Sequence, residues 1–207
     1  KVNNRSFNSK IFYLAVSILL VIISGFRGDF AVDYNNYVDL FYRYENWSFL
    51  QILSKNFMGY PETGYLVYQF LIKLIYNNPI LLFVVTSIII VKLNIDVIEE
   101  YFPYGILPVL LFMELGNYYS SFNVMRQILA ASILLIGSSY LYDKKFLKYS
   151  IVVLIAFTIH KSALIMLPFY FILNIKLKKQ GIVWFTIASI LLSVFLPQII
   201  SFVQIFY

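Results

Sequence analysis

The sequence contains no cysteine and a single histidine, His160. The first absence excludes disulfides, thiolate chemistry and zinc–cysteine sites; the second excludes a histidine-rich metal centre. Charged residues are also scarce, 13% of 207. No Walker loop, GxGxxG, HExxH or metal-spaced cluster occurs, so no metal and no cofactor is expected. No internal repeat or low-complexity segment is present. Residues 11–26 are apolar but lack a following small-residue cleavage site, which argues against a cleavable signal peptide.

Apolar residues are abundant: 61% of the chain, with a mean hydropathy of +0.79. Such a composition excludes an ordinary soluble domain. The runs are continuous and longer than the ten-residue alternating strands of a barrel. The expected fold is therefore all-α, a polytopic helical membrane protein. The chain starts at Lys1 and stops at Tyr207 just after an apolar run. It is expected to be a fragment of a longer chain, with 1–207 forming one partial transmembrane domain.

The net charge of +6 gathers at the ends of apolar runs. There it reports topology and contact with anionic headgroups, and no nucleic-acid partner is expected. Residues 143–180 are the most informative stretch. Lys144, Lys145 and Lys148 precede it, and Lys176, Lys178 and Lys179 follow. A straight helix over 149–173 would be about 37 Å long and would put the two clusters on opposite sides of a bilayer. Lysines beside apolar spans favour the cytoplasm. The reading that satisfies both clusters is a helical hairpin over 143–180, broken at His160-Lys161-Ser162, with His160 in the outer half of the bilayer.

The rest follows in chain order. Residues 11–26 form an outward span. Residues 27–61 form an extracytoplasmic loop with one or two interfacial helices; 12 aromatics fall between Phe26 and Tyr65, a composition suited to the membrane interface or to stacking on sugars. Residues 62–77 are helical in pattern and are read as an outer-face or re-entrant helix, because a span there would invert all that follows. Residues 79–95 run inward, 102–117 outward and 125–142 inward. The last of these has a small-residue face (Ala130, Ala131, Ser132, Gly137, Ser138, Ser139) suited to close packing. On this map Arg27, Asp29, Asp33, Glu62, Arg126 and His160 share the outer side.

Each of these polar residues admits two roles. Arg126 and Arg27 are either interfacial anchors or grips for a phosphate, which a guanidinium fork fits. His160 is either a pin at the hairpin tip or a general base. Asp29 and Asp33, four apart, would share a face if helical; they either cap a helix or orient a sugar hydroxyl. Glu62 follows Pro61 and could cap a helix. Glu114 is either a buried pair partner or part of a polar cavity.

Four stretches in one order resemble the EpsG family of bacterial polysaccharide polymerases, a Wzy-like group. They are Phe26-Arg27 with Val32-Asp33-Tyr34 and Tyr37; Glu62-Thr63-Gly64-Tyr65; Val124-Met125-Arg126-Gln127 leading into Ala130; and Ala156 with His160-Lys161-Ser162-Ala163-Leu164. The family pattern has a Gly before its Asp-Tyr pair, where Ala31 and Val32 stand here. Either Asp29 or Asp33 is thus the matching acid. The resemblance implies a membrane glycosyltransferase in the bacterial cytoplasmic membrane, with its site facing out. Such an enzyme joins undecaprenyl-diphosphate-linked oligosaccharides into exopolysaccharide or capsule. It implies His160 or Asp33 as the base, and Arg27, Asp29, Glu62, Arg126, Gln127 and Ser162 as substrate contacts. Its partners would be the lipid-linked substrate, the bilayer and other polysaccharide-assembly proteins. A flippase or small-solute transporter is the rival reading, and a non-catalytic scaffold the third.

Overall fold

The computed structural model describes residues 7–44, 46–54, 61–102, 105–174 and 179–204; these are helical and carry no strand. Contacts divide the chain into two units, Lys1–Tyr170 and Phe171–Tyr207.

The first unit is built on two long helices. The helix α1 (Phe7–Gly25) packs along the later helix α5 (Pro79–Tyr101). A Cβ on Gly25 would lie 3.1 Å from Val84, so the missing side chain sets this approach. α5 starts cleanly. The Asn78 side chain accepts from the Ile80 N–H at 2.9 Å, and Pro79 occupies the first turn, where its missing N–H costs nothing. Its 23 residues span about 35 Å. It is the only helix among the described residues long and apolar enough to cross a membrane. Isoleucines and leucines on the outer side of α1 stay exposed: Ile11, Leu14, Ile18, Leu19 and Ile22.

Between these helices lie α2 (Tyr34–Arg43), α3 (Phe49–Ser54) and α4 (Thr63–Ile75). α2 turns Tyr37, Leu40 and Phe41 into the core and keeps Asp39 and Arg43 exposed. Lys73 of α4 donates to the Phe41 carbonyl, and its ammonium sits 4.5 Å from the Phe41 ring centroid, tying α4 to α2. The Tyr68 and Thr86 hydroxyls meet at 2.8 Å and join α4 to α5.

The span expected over 102–117 is not one helix. α6 covers only Leu107–Glu114, eight residues or about 12 Å. The chain then turns at Gly116, whose φ of 90° suits a residue without a Cβ, and α7 (Asn117–Asn123) follows. Glu114 is exposed, which removes the buried-partner role from its two alternatives. α8 (Met125–Tyr142) packs on α9 (Phe146–Ile159) through Gly137, whose missing Cβ would meet the Tyr149 ring at 3.3 Å. Of the small residues on α8, Ala130, Ser132 and Gly137 are buried, while Ala131, Ser138 and Ser139 face out. Ser132 also accepts a 2.8 Å bond from Asn94, linking α8 to α5.

After Ile159 the helix stops. His160 is extended (φ −152°, ψ 120°), a 3-10 turn covers Lys161–Ile165, and α10 (Met166–Asn174) begins. The Tyr149 hydroxyl donates to the Met166 carbonyl at 2.7 Å, and the Tyr149 and Tyr170 rings lie 5.6 Å apart. In one straight helix residues 149 and 166 would be about 25 Å apart, so the chain doubles back here. Of the second lysine group, Lys176 and Lys178 lie outside the described residues.

The second unit holds the rest of α10 and α11 (Lys179–Gln204), which carries Pro197 within its length. Trp184, Phe185, Ile190 and Val194 are exposed along it.

Candidate functional site

Glu62 stands at the N-terminus of α4, yet its side chain makes no capping bond. The carboxylate reaches two other elements instead. Arg126, in the first turn of α8, donates from Nη1 to Oε2 at 2.7 Å. The Lys161 backbone N–H, at the start of the 3-10 turn, donates to Oε1 at 3.0 Å. His160 Nδ1 lies 3.3 Å from the same oxygen. One carboxylate thus gathers α4, α8 and the break after α9.

The local sequence explains how these elements come so close. Gly64, the second residue of α4, lies against α9. A Cβ there would run into the Thr158 side chain and come within 2.7 Å of its backbone carbonyl. No side chain fits, so the glycine lets Glu62 reach the end of α9. The break in α9 frees the Lys161 N–H from helical pairing and turns it toward the carboxylate.

Glu62 and Arg126 are nearly out of water, at 4% and 7% exposure. A buried carboxylate is tolerated because a guanidinium and an N–H satisfy it. Arg126 does not snorkel outward as an anchor would. Its guanidinium carbon lies 5.4 Å from the Tyr65 ring centroid, and its backbone N–H faces the Tyr37 hydroxyl at 3.5 Å.

Beside this cluster opens a cavity of about 280 Å³. Arg126, Gln127, Val124 and His160 form one side, and α2 forms the other with Asp33, Asn36, Tyr37, Asp39, Leu40 and Arg43. Positions 33, 36, 37, 40 and 43 follow the helical three-to-four spacing, so one face of α2 runs along the cavity. Asp33 precedes the first residue of α2 and makes no capping bond; its Oδ1 accepts from Asn36 at 3.0 Å. Burial pushes the Tyr37 phenol up from its ordinary value, while bonding to Arg126 pulls it back. It stays protonated at neutral pH.

The sequence-derived candidates fall into two groups. Asp33, Arg126, Gln127 and His160 line the cavity, and Glu62 joins Arg126 and His160 from behind. Arg27, Asp29 and Ser162 are not among the lining residues. Arg27 is 5% exposed and bonded elsewhere: Nη1 donates to the Ser121 carbonyl at 2.6 Å and Nη2 to Met125 Sδ at 2.8 Å. Its guanidinium carbon sits 4.6 Å from the Phe83 ring centroid and 5.7 Å from that of Phe122. Asp29 and Ser162 are exposed. Asp29 and Asp33 do not share a helix face, because residues 27–33 are not helical and α2 begins at Tyr34. Asn36, Asp39 and Arg43 are cavity residues that the sequence reading passed over. For Asn36 and Arg43 the signal was the spacing from Asp33, usable only once the start of α2 is known; Asp39, six residues on, does not share it.

Among the described residues, no group of three or more His, Asp and Glu side chains converges as a metal site would require. The arrangement puts an imidazole 3.3 Å from a buried carboxylate, with the Asp33 and Asp39 carboxylates and guanidinium charge around one cavity. That set can deprotonate a hydroxyl and face an anion.

No curated protein and no solved structure matches the chain. The EpsG family model matches residues 10–207. That match takes in Glu62, Gly64, Arg126 and His160 together, and nearly the whole sequence: the chain belongs to the EpsG family.

Proposed function

We propose that this chain polymerises undecaprenyl-diphosphate-linked oligosaccharide units at the outer face of the bacterial cytoplasmic membrane, for exopolysaccharide or capsule. One observation carries the reading: in a chain of this family, a buried Glu62 ties Arg126 and His160 together at the wall of a polar cavity. The family indicates a role in polysaccharide biosynthesis and a membrane setting. The exposed apolar faces of α1 and α9 suit contact with lipid. The proposed topology keeps the lysines around 143–180 inside, with the cavity opening outward.

In the proposed reaction a sugar hydroxyl of one lipid-linked chain attacks the anomeric carbon of another. The new glycosidic C–O bond forms as the bond to the lipid diphosphate breaks, and the diphosphate leaves with the electron pair. The hydroxyl proton passes to His160. Glu62 beside Nδ1 favours the tautomer protonated there and leaves Nε2 as the basic nitrogen. Arg126 fixes Glu62, and Asp33 is the alternative base across the cavity. Gln127 and Asn36 bond sugar hydroxyls.

The test is where substrate accumulates when the gene is deleted. Single lipid-linked units at the outer face are expected. Accumulation at the inner face would instead identify a flippase.

A further inference from the structure

We infer that Arg43 is the side chain that meets the phosphate of the lipid-linked donor, and that Arg126 is a positioning residue. This deepens the polymerase reading and rests on it.

Three arginines lie in or near the site, and their charges are not equally available. Arg27 is buried against Ser121, Met125 and two rings, and is not among the cavity-lining residues. Arg126 lines the cavity, but its charge is 2.7 Å from the Glu62 carboxylate. An anion approaching that pair meets attraction from one member and repulsion from the other, so the net pull is that of a dipole and fades quickly with distance. Arg43 lines the same cavity, is exposed, and its side chain makes no ion pair or hydrogen bond with any described residue. It is the lining cation that no carboxylate holds in an ion pair, although Asp39 stands one turn before it on the same helix.

Its position adds an orientation. Asp33 precedes α2 and Arg43 is its last residue, and both fall on the cavity face. Ten residues of helix separate them by about 15 Å along the axis. Asp33 thus marks one end of the cavity face of α2 and Arg43 the other, with Asp39 one turn short of Arg43 and with Tyr37, Arg126 and His160 also lining the cavity. An acid at the start of a helix and a base at its end also complement the helix dipole. The dipole alone would be served on any face of α2, whereas both residues lie on the cavity face. Phosphate goes to Arg43 because it is the lining guanidinium held in no ion pair, and sugar hydroxyls go toward Asp33, the lining carboxylate farther from it along α2. A guanidinium matches phosphate through paired N–H donors, which an ammonium does not.

The experiment measures binding of farnesyl diphosphate and of uncharged farnesol to the full chain in nanodiscs, by titration calorimetry at low and high salt. Wild type, Arg43→Gln and Arg43→Lys are compared, with folding checked by circular dichroism. Arg43→Gln is expected to weaken farnesyl diphosphate binding by about tenfold or more, to flatten its salt dependence, and to leave farnesol unchanged. Arg43→Lys should fall between, and it decides the matter alone if the Gln variant does not fold. Wild-type affinity for farnesyl diphosphate in either folded variant overturns the assignment. So does a wild type that binds the two probes equally. The polymerase reading fails separately, on inner-face accumulation in the deletion strain.

Discussion

Two buried arginines sit in the first unit, and their surroundings differ in one respect. Arg27 is held by a carbonyl, a thioether and two aromatic rings, all neutral. Arg126 is held by a carboxylate, beside the chain's single histidine and on the wall of a cavity. Neutral partners satisfy a guanidinium without tying it to a second charge. An ionised partner makes each charge depend on the other, because removal of one strands the other out of water. The comparison separates an arginine that plugs a packed seam from one that organises a site. Burial alone, 5% against 7%, would not have told them apart.

The largest expected effect comes from replacing each arginine with methionine. Arg126→Met leaves the Glu62 carboxylate buried beside only an N–H and an imidazole, and should destabilise the first unit by about 3–5 kcal/mol. Arg27→Met strands no charge. It leaves the Ser121 carbonyl short of a donor, a loss of about 1–3 kcal/mol, offset in part by apolar contact with Phe83 and Phe122. Denaturant unfolding of both variants in detergent checks the order. Equal losses would erase the distinction.

A smaller effect is expected at Gly64. Gly64→Ala puts a methyl against Thr158 and its carbonyl. α4 must shift from α9, at an overpacking cost of about 1–3 kcal/mol. The shift lengthens the reach of Glu62 to Lys161 and His160, so polymerisation should fall further than stability does. Thr158→Ala opens part of the space and should partly restore the double variant. Polymer yield set against the unfolding midpoint tests this, and an unchanged yield would show that the approach of α4 to α9 does not position the site.

Much of this architecture was legible from composition. Long continuous apolar runs admit little but helices, and the regular structure of the described residues is helical. His160-Lys161-Ser162 interrupts one such run, and α9 ends at Ile159. Other features were hidden for identifiable reasons. Glu62 after Pro61 reads locally as a cap, and its backbone does sit at the helix start. Its side chain bonds Arg126, 64 positions away, and no local signal carries that pairing. Asp29 and Asp33 have helical spacing, but residues 27–33 are not helical, so the spacing misled. Residues 102–117 are apolar enough to be read as one span, yet α6 begins only at Leu107 and the left-handed turn at Gly116 follows its end. Arg43 went unnoticed because its register to Asp33 is visible only once α2 is known to begin at Tyr34.

The central claim is that Glu62 holds His160 for proton transfer. The measurement is polymer chain length, with the level of membrane-inserted protein, for His160→Gln and His160→Ala. Glutamine keeps most of the packing and a hydrogen bond but cannot take the proton. The account predicts a fall of roughly 100-fold or more in polymerisation rate for His160→Gln at normal protein level. Normal chain length in His160→Gln, with less folded protein in His160→Ala, would contradict it; His160 would then be a structural pin and Asp33 the base.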